Sequence, residues 1–215
     1  MHKPLKAARE GGLCCSTEGA YIVARMTLFP EIEVKHLTMQ ELEAALDHLR
    51  AAPKNEGVVE LIVRRPRTDH REVLQEAELD PVKGLIGDSW CVRPSSKTPD
   101  RSPHPEMQIN IMNSRVTALV AQAKERWPLA GDQLYLDMDL SKENLPAGSR
   151  IQVGSAVLEV SPLPHTGCHK FVSRFGMDAM KFVNSPLGKE LCLRGINAKV
   201  IQAGMVQVGH IVKKV

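Results

Sequence analysis

The residue best placed to do chemistry is Cys168, in the segment Pro162-Leu163-Pro164-His165-Thr166-Gly167-Cys168. A thiolate is the reactive form of cysteine, and nearby cations lower a thiol's pKa towards neutrality. His165, His169, Lys170 and Arg174 all lie within six residues of it. Gly167 lets the backbone approach a ligand closely or take a φ angle that other residues avoid. A lone cysteine is also commonly a small buried hydrophobe, so local context leaves both readings open. Cys91 beside Trp90, and Cys192 between Leu191 and Leu193, fit the buried reading better.

Other chemistries can be set beside this one. His165, Cys168 and His169 suggest zinc, but a structural site needs four ligands and no second Cys/His cluster supplies the rest. A Cys–His hydrolase would use His165 or His169 as its base. Asp88 follows Gly84-Leu85-Ile86-Gly87, a loop that suits a functional carboxylate and a turn cap equally. Asp137 and Asp139 share one face of an alternating segment, where paired acids are usually solvated surface. Arg64, Arg65, Arg67, Arg93, Arg174, Lys181 and Arg194 could line a pocket for an anion, because guanidinium groups grip phosphate bidentately. Surface charge accounts for most of them more simply.

Composition narrows the class. With 215 residues, 43% hydrophobic and 25% charged, the chain reads as globular and can bury a core without disulfides. A net charge of +3 and an aromatic content of 4% argue against nucleic-acid binding, which wants clustered cations and stacking platforms. No run approaches the length of a membrane span or a signal peptide. The five cysteines form no C-x-x-C pair, so they read as reduced thiols in a cytoplasmic protein.

The elements that must position these residues are short. Residues 1–18 read as a flexible lead-in, and 19–215 as a single domain. Tyr21–Phe29 predicts a first strand, and Thr38-Met39-Gln40-Glu41 is a capping box opening a helix over about 39–52, a decoration on that domain. Gly57–Val63 predicts a strand, as, less cleanly, does Arg71–Leu79. Residues 94–106 form a loop, Met107–Met112 a strand, and Arg115–Trp127 a helix. Leu134, Leu136, Met138 and Leu140 alternate in a half-buried strand. Gly154-Ser155 joins two strands in a tight hairpin. After the irregular cysteine segment comes a helical pattern through Phe182, then strands over Ala198–Gln202 and Met205–Val212. Many short strands with few helices predict a mainly β barrel or sandwich.

From Gly57 onward the chain resembles the MOSC family, named for the C-terminal domain of molybdenum-cofactor sulfurases. The resemblance rests on Gly87-Asp88-Ser89-Trp90, Met107-Gln108-Ile109-Asn110, Gly131-Asp132-Gln133-Leu134 and Leu145-Pro146-Ala147-Gly148. Most specific is Pro164-His165-Thr166-Gly167-Cys168-His169-Lys170-Phe171, followed by Arg174-Phe175-Gly176 and Arg194-Gly195-Ile196. It implies a MOSC-type β-barrel with Cys168 in a cleft at its mouth. It also implies that Cys168 binds molybdenum or carries a persulfide, with His165, His169 and Asp88 beside it in catalysis. Lys170, Arg174, Arg194, Gln108 and Asn110 would then bind a molybdopterin-type cofactor. His165 stands where many small members have Arg, and Val208-Gly209-His210 where Gly-Asp is usual. No pyridoxal-phosphate desulfurase domain is expected in this chain.

Three functions follow as expectations. The first is a molybdenum–pterin oxidoreductase acting on N-hydroxylated or related small substrates, supplied by an electron-donor protein. The second is a metal-free persulfide carrier served by a sulfur-donor protein. The third is a cofactor-independent thiol lyase or transferase.

Overall fold

Strand formation begins where β-branched residues cluster. β1 (Glu56–Arg64) carries Val58, Val59, Leu61, Ile62 and Val63. It pairs antiparallel with β6 (Leu134–Asp137), and the register shifts between Val59 and Leu61. That bulge matters because side chains alternate along a strand, and one extra residue exchanges the two faces. It lets Val59 and Ile62 enter one core while Leu61 and Val63 enter another.

The computed structural model describes residues 35–215, which lie within one compact unit, Glu33–Val215. The predicted Tyr21–Phe29 strand, the lead-in and the boundary at residue 19 lie outside the described residues. Seven strands close a barrel in the order β11 (Ile211–Lys214), β7 (Arg150–Val153), β8 (Ala156–Pro164), β9 (Ile196–Gln202), β5 (Ile109–Asn113), β6 and β1, with β1 pairing back onto β11. β2 (Glu72–Leu74) adds to β1. All these pairings are antiparallel except β5 with β6. A smaller sheet of β10 (Gly204–Gln207), β3 (Glu76–Asp80) and β4 (Gly84–Leu85) sends Ala77, Leu79, Leu85 and Val206 into the barrel core.

A second core covers the outer face of β1, β5 and β6 through Leu61, Val63, Met112 and Tyr135. Against it pack α1 (Met39–Ala44), α2 (Leu46–Arg50), α3 (Ser114–Ala121), α4 (His169–Phe175) and α5 (Met177–Asn184). Thr38 closes its capping box with Glu41 as expected. The helix expected as decoration is instead two helices whose Leu42 and Leu49 are buried in this second core.

The outer helical layer explains most differences from the sequence reading. β6 is buried on both faces rather than half-buried, because α3 and the Trp127 segment that follows it lie over Tyr135. The helix expected over Arg115–Trp127 ends at Ala121, where Gln122 turns to φ +62°, and a 3-10 segment follows. Met205–Val212 breaks into β10 and β11 around Gly209. The helical run through Phe182 breaks at Gly176, and α6 (Pro186–Glu190) follows it. Cys91, expected inside, is exposed; its neighbour Trp90 takes the buried position.

Candidate functional site

Pro164, the last residue of β8, pairs with Ile196, the first of β9. His165 and Arg194 therefore leave neighbouring strand ends, and both turn towards Asp132 ahead of β6. Arg194 passes Met112 on the outer face of β5, with Nη1 3.8 Å from the Met112 sulfur. Its Nη1 donates to both Asp132 oxygens at 3.0 and 2.8 Å, and its Nη2 to the Ala130 carbonyl. The Phe171 ring of α4 lies 5.2 Å from the guanidinium, a cation–π contact. His165 Nε2 sits 2.8 Å from Asp132 Oδ1.

Burial would push the Asp132 carboxyl up, but the charges of Arg194 and His165 overcome it and hold the group below the usual carboxylate range. Burial, then Arg194, pushes His165 below the ordinary imidazole value. Near neutral pH the pair is thus a carboxylate and a neutral imidazole. A carboxylate only accepts, so Nε2 carries the hydrogen and donates it, leaving a lone pair on Nδ1.

Cys168 is the N-cap of α4 and is exposed. Its thiol makes no hydrogen bond among the described residues. Phe171 and Phe175, the anchors of α4, are buried. Lys170 and Arg174, one helical turn apart, point together at Asp69, at 3.1 and 3.5 Å. Lys170 in turn holds the Asp69 carboxyl below its usual range. Arg174 Nη1 also donates to the Leu129 carbonyl at 2.7 Å. His169 is exposed. The neighbours of Cys168 along the chain thus face in different directions. α4 lies on the barrel's outer face, and the thiol is at the end of that layer rather than inside the barrel. Cys192 is the opposite case, with burial pushing its thiol up to about 11.

A third group of cations meets around Gly131. This residue has φ +92°, and a Cβ there would find Arg71 Nη2 at 3.8 Å and Arg174 Nη1 at 3.9 Å. Arg65 Nη1 donates to the Gly131 carbonyl at 2.8 Å. Among the described residues, Arg71 Nη1 reaches only the His70 carbonyl and its buried Nε has no partner. Burial and the charges of Arg174 and Arg65 push Arg71 below the usual guanidinium value. Cations packed together in this way favour an incoming anion.

Asp88, Gln108 and Asn110 are engaged within the fold. Asp88 binds Arg65 through both oxygens, at 2.9 and 3.1 Å, and caps Trp90 N. Gln108 accepts from Val200 N and donates to the Pro81 carbonyl. Asn110 joins Arg65 to Asn197. Asp137 is ion-paired with Arg115 at 2.6 Å. Sequence reasoning missed Asp132 and Arg71 as site residues. The signal for Asp132 was a Gly-Asp step opening a strand, whereas Arg71 had none. Among the described residues, no group of three or more His, Cys, Asp or Glu side chains could hold a metal, and no helix is long and apolar enough to cross a membrane.

No protein-family model matches the sequence, and no curated protein does. Solved structures do. The YuaD protein from Bacillus subtilis superposes with a TM-score of 0.55 at 18% identity, over 74% of this chain and 95% of its own. The barrel is of the MOSC type. A crystal structure titled only as a hypothetical protein gives 0.50 at 20% identity, over 75% of this chain and 68% of its own. YiiM from Escherichia coli gives 0.47 at 20% identity, over 74% and 69%. At these identities the likeness extends to the fold alone. The chemistry of this MOSC-type barrel must be argued from its own side chains.

Proposed function

We propose that Cys168 is the working atom of this protein, binding a molybdenum–pterin cofactor through its thiolate in an oxidoreductase for N-hydroxylated or related small substrates. The observation that carries this reading is an exposed cysteine whose own helix also bears one of two guanidinium groups converging over Gly131. Such a cofactor needs a soft sulfur donor and a cradle for a phosphate. The residues present fit both needs. Cys168 is the donor, and Arg71, with its unpartnered Nε, together with Arg174 is the cradle. Gln108 and Asn110 do not extend that cradle, since their side chains are engaged inside the fold. When bound, the group supplies two-electron redox chemistry at its metal.

This chain's residues supply placement: Phe171 and Phe175 anchor the helix that carries Cys168. The exposure of Cys168 also favours a second reading, a persulfide carrier that a sulfur-donor protein could reach. Metal content of the purified protein, measured by plasma mass spectrometry, tests both. Near-stoichiometric molybdenum that disappears in Cys168→Ser supports the first. A one-sulfur mass increment on Cys168 with no metal supports the second and overturns the first.

A further inference from the structure

A chamber of about 290 Å³ opens beside the β8–β9 strand ends, at the base of α6. Its walls are mostly apolar, Leu145, Val160 and Ile196 among them, and its polar groups include His165, Ser161, Thr166, Arg194 and the exposed Lys142 and Lys189. Cys168, Lys170 and Arg174 do not line it. An apolar cavity of roughly 150 Å³ holds a benzene molecule, so this one has room for a substituted single ring. Mostly apolar walls with a small number of placed polar groups are the usual make-up of a small-molecule site.

His165 gives this chamber its direction. Its side chain is 14% exposed. Nε2 is committed to Asp132, and the charge state of that pair leaves a lone pair on Nδ1. Nδ1 makes no hydrogen bond among the described residues and is not one of their buried unpartnered atoms. It therefore reaches solvent, and the chamber is solvent space that His165 lines. A ligand with an apolar body alone would leave Nδ1 unsatisfied. One that offers a donor satisfies it.

We infer that this chamber is a binding site for a small apolar molecule bearing one hydroxyl or N–H donor, of which a simple phenol is the type, with the donor bonded to His165 Nδ1. The site goes beyond the reading given for Cys168 and does not depend on what that thiol carries. The test uses the purified full chain at neutral pH, titrated with phenol and with toluene, which has the same shape but no donor. Calorimetry, or ligand-observed magnetic resonance for weak binding, reads both affinities. Phenol should bind about three- to tenfold more tightly than toluene, the range of one neutral hydrogen bond.

His165→Phe keeps a ring in place but removes the acceptor, so it should erase that preference while toluene still binds. Ala147 lines the chamber from an exposed position. Ala147→Trp should therefore leave folding intact and weaken both ligands. The inference is overturned if the parent binds neither ligand or does not prefer phenol. It is equally overturned if the preference survives His165→Phe, or if Ala147→Trp leaves both affinities unchanged.

Discussion

Cys168 and His165 lie three residues apart but have different fates, and that separates what each should do when changed. Cys168 is exposed at a helix N-cap, so Cys168→Ser should melt within about 1 kcal/mol of the parent, in the range of an ordinary surface change. It should lose its metal or sulfur load, because a hydroxyl is a hard ligand with a far higher pKa. Unfolding of this variant would show that the thiol packs the core. Alkylation near pH 8, mapped by mass spectrometry, should label Cys168 well ahead of Cys192, whose thiol is pushed up to about 11. His165 leaves its mark on the pH dependence of stability. Its folded pKa lies below the usual 6.5, so the unfolded chain binds the proton first as pH falls. Stability is therefore full above about pH 6.5 and lost below it, at no more than about 1.4 kcal/mol per pH unit. Urea midpoints measured between pH 7.5 and 5 should fall less steeply in His165→Phe than in the parent.

Backbone geometry decides the element-scale predictions. Gly131 and Gly195 both have φ near +100°, yet their surroundings differ. A Cβ at Gly195 would collide with the Ile111 carbonyl where β9 approaches β5, so Gly195→Ala should unfold the protein or displace that strand. A Cβ at Gly131 meets nothing closer than the two guanidinium tips. Gly131→Ala should thus cost only about 1–2 kcal/mol of left-handed strain while placing a methyl between Arg71 and Arg174. Thermal melts beside a phosphate titration separate the two effects, since anion binding should weaken more than stability does. At the amino-terminal end of the described chain, Thr38→Ala removes the capping box of α1 and should cost about 1 kcal/mol. A much larger loss would mean that α1 and α2 hold the second core together.

For the molecule as a whole, the two cores divide the labour. The barrel interior is the scaffold, and the outer layer of helices carries the candidate site. Loops beside the small sheet are tied to the barrel by Arg65 and Asp88, both almost fully buried, with the pair also linked to Asn110 and Gly131. Removing one partner of such a pair leaves a buried charge, so Asp88→Ala should cost about 3–5 kcal/mol. Its effect on melting should far exceed that of Cys168→Ser. A mild change would show that the Arg65–Asp88 pair does not hold these loops to the barrel.

The sequence by itself determined the strand-rich class, the capping box at Thr38, the hairpin at Gly154-Ser155 and the interest of the cysteine segment, all local properties set by side-chain alternation, turn chemistry and short-range spacing. The barrel type came from the motif resemblance, since the local pattern left barrel and sandwich both open. Tertiary structure alone decided that β6 is buried on both sides and that Lys170 and Arg174 turn to Asp69 while His165 turns to Asp132. It also decided that Arg71 joins Arg174 over Gly131. Each of these depends on which distant segment packs against which, as does the β-bulge that puts Val59 into the same core as Ile62. Composition and periodicity carry no record of such contacts, because the same local pattern is satisfied by any partner that buries the apolar face.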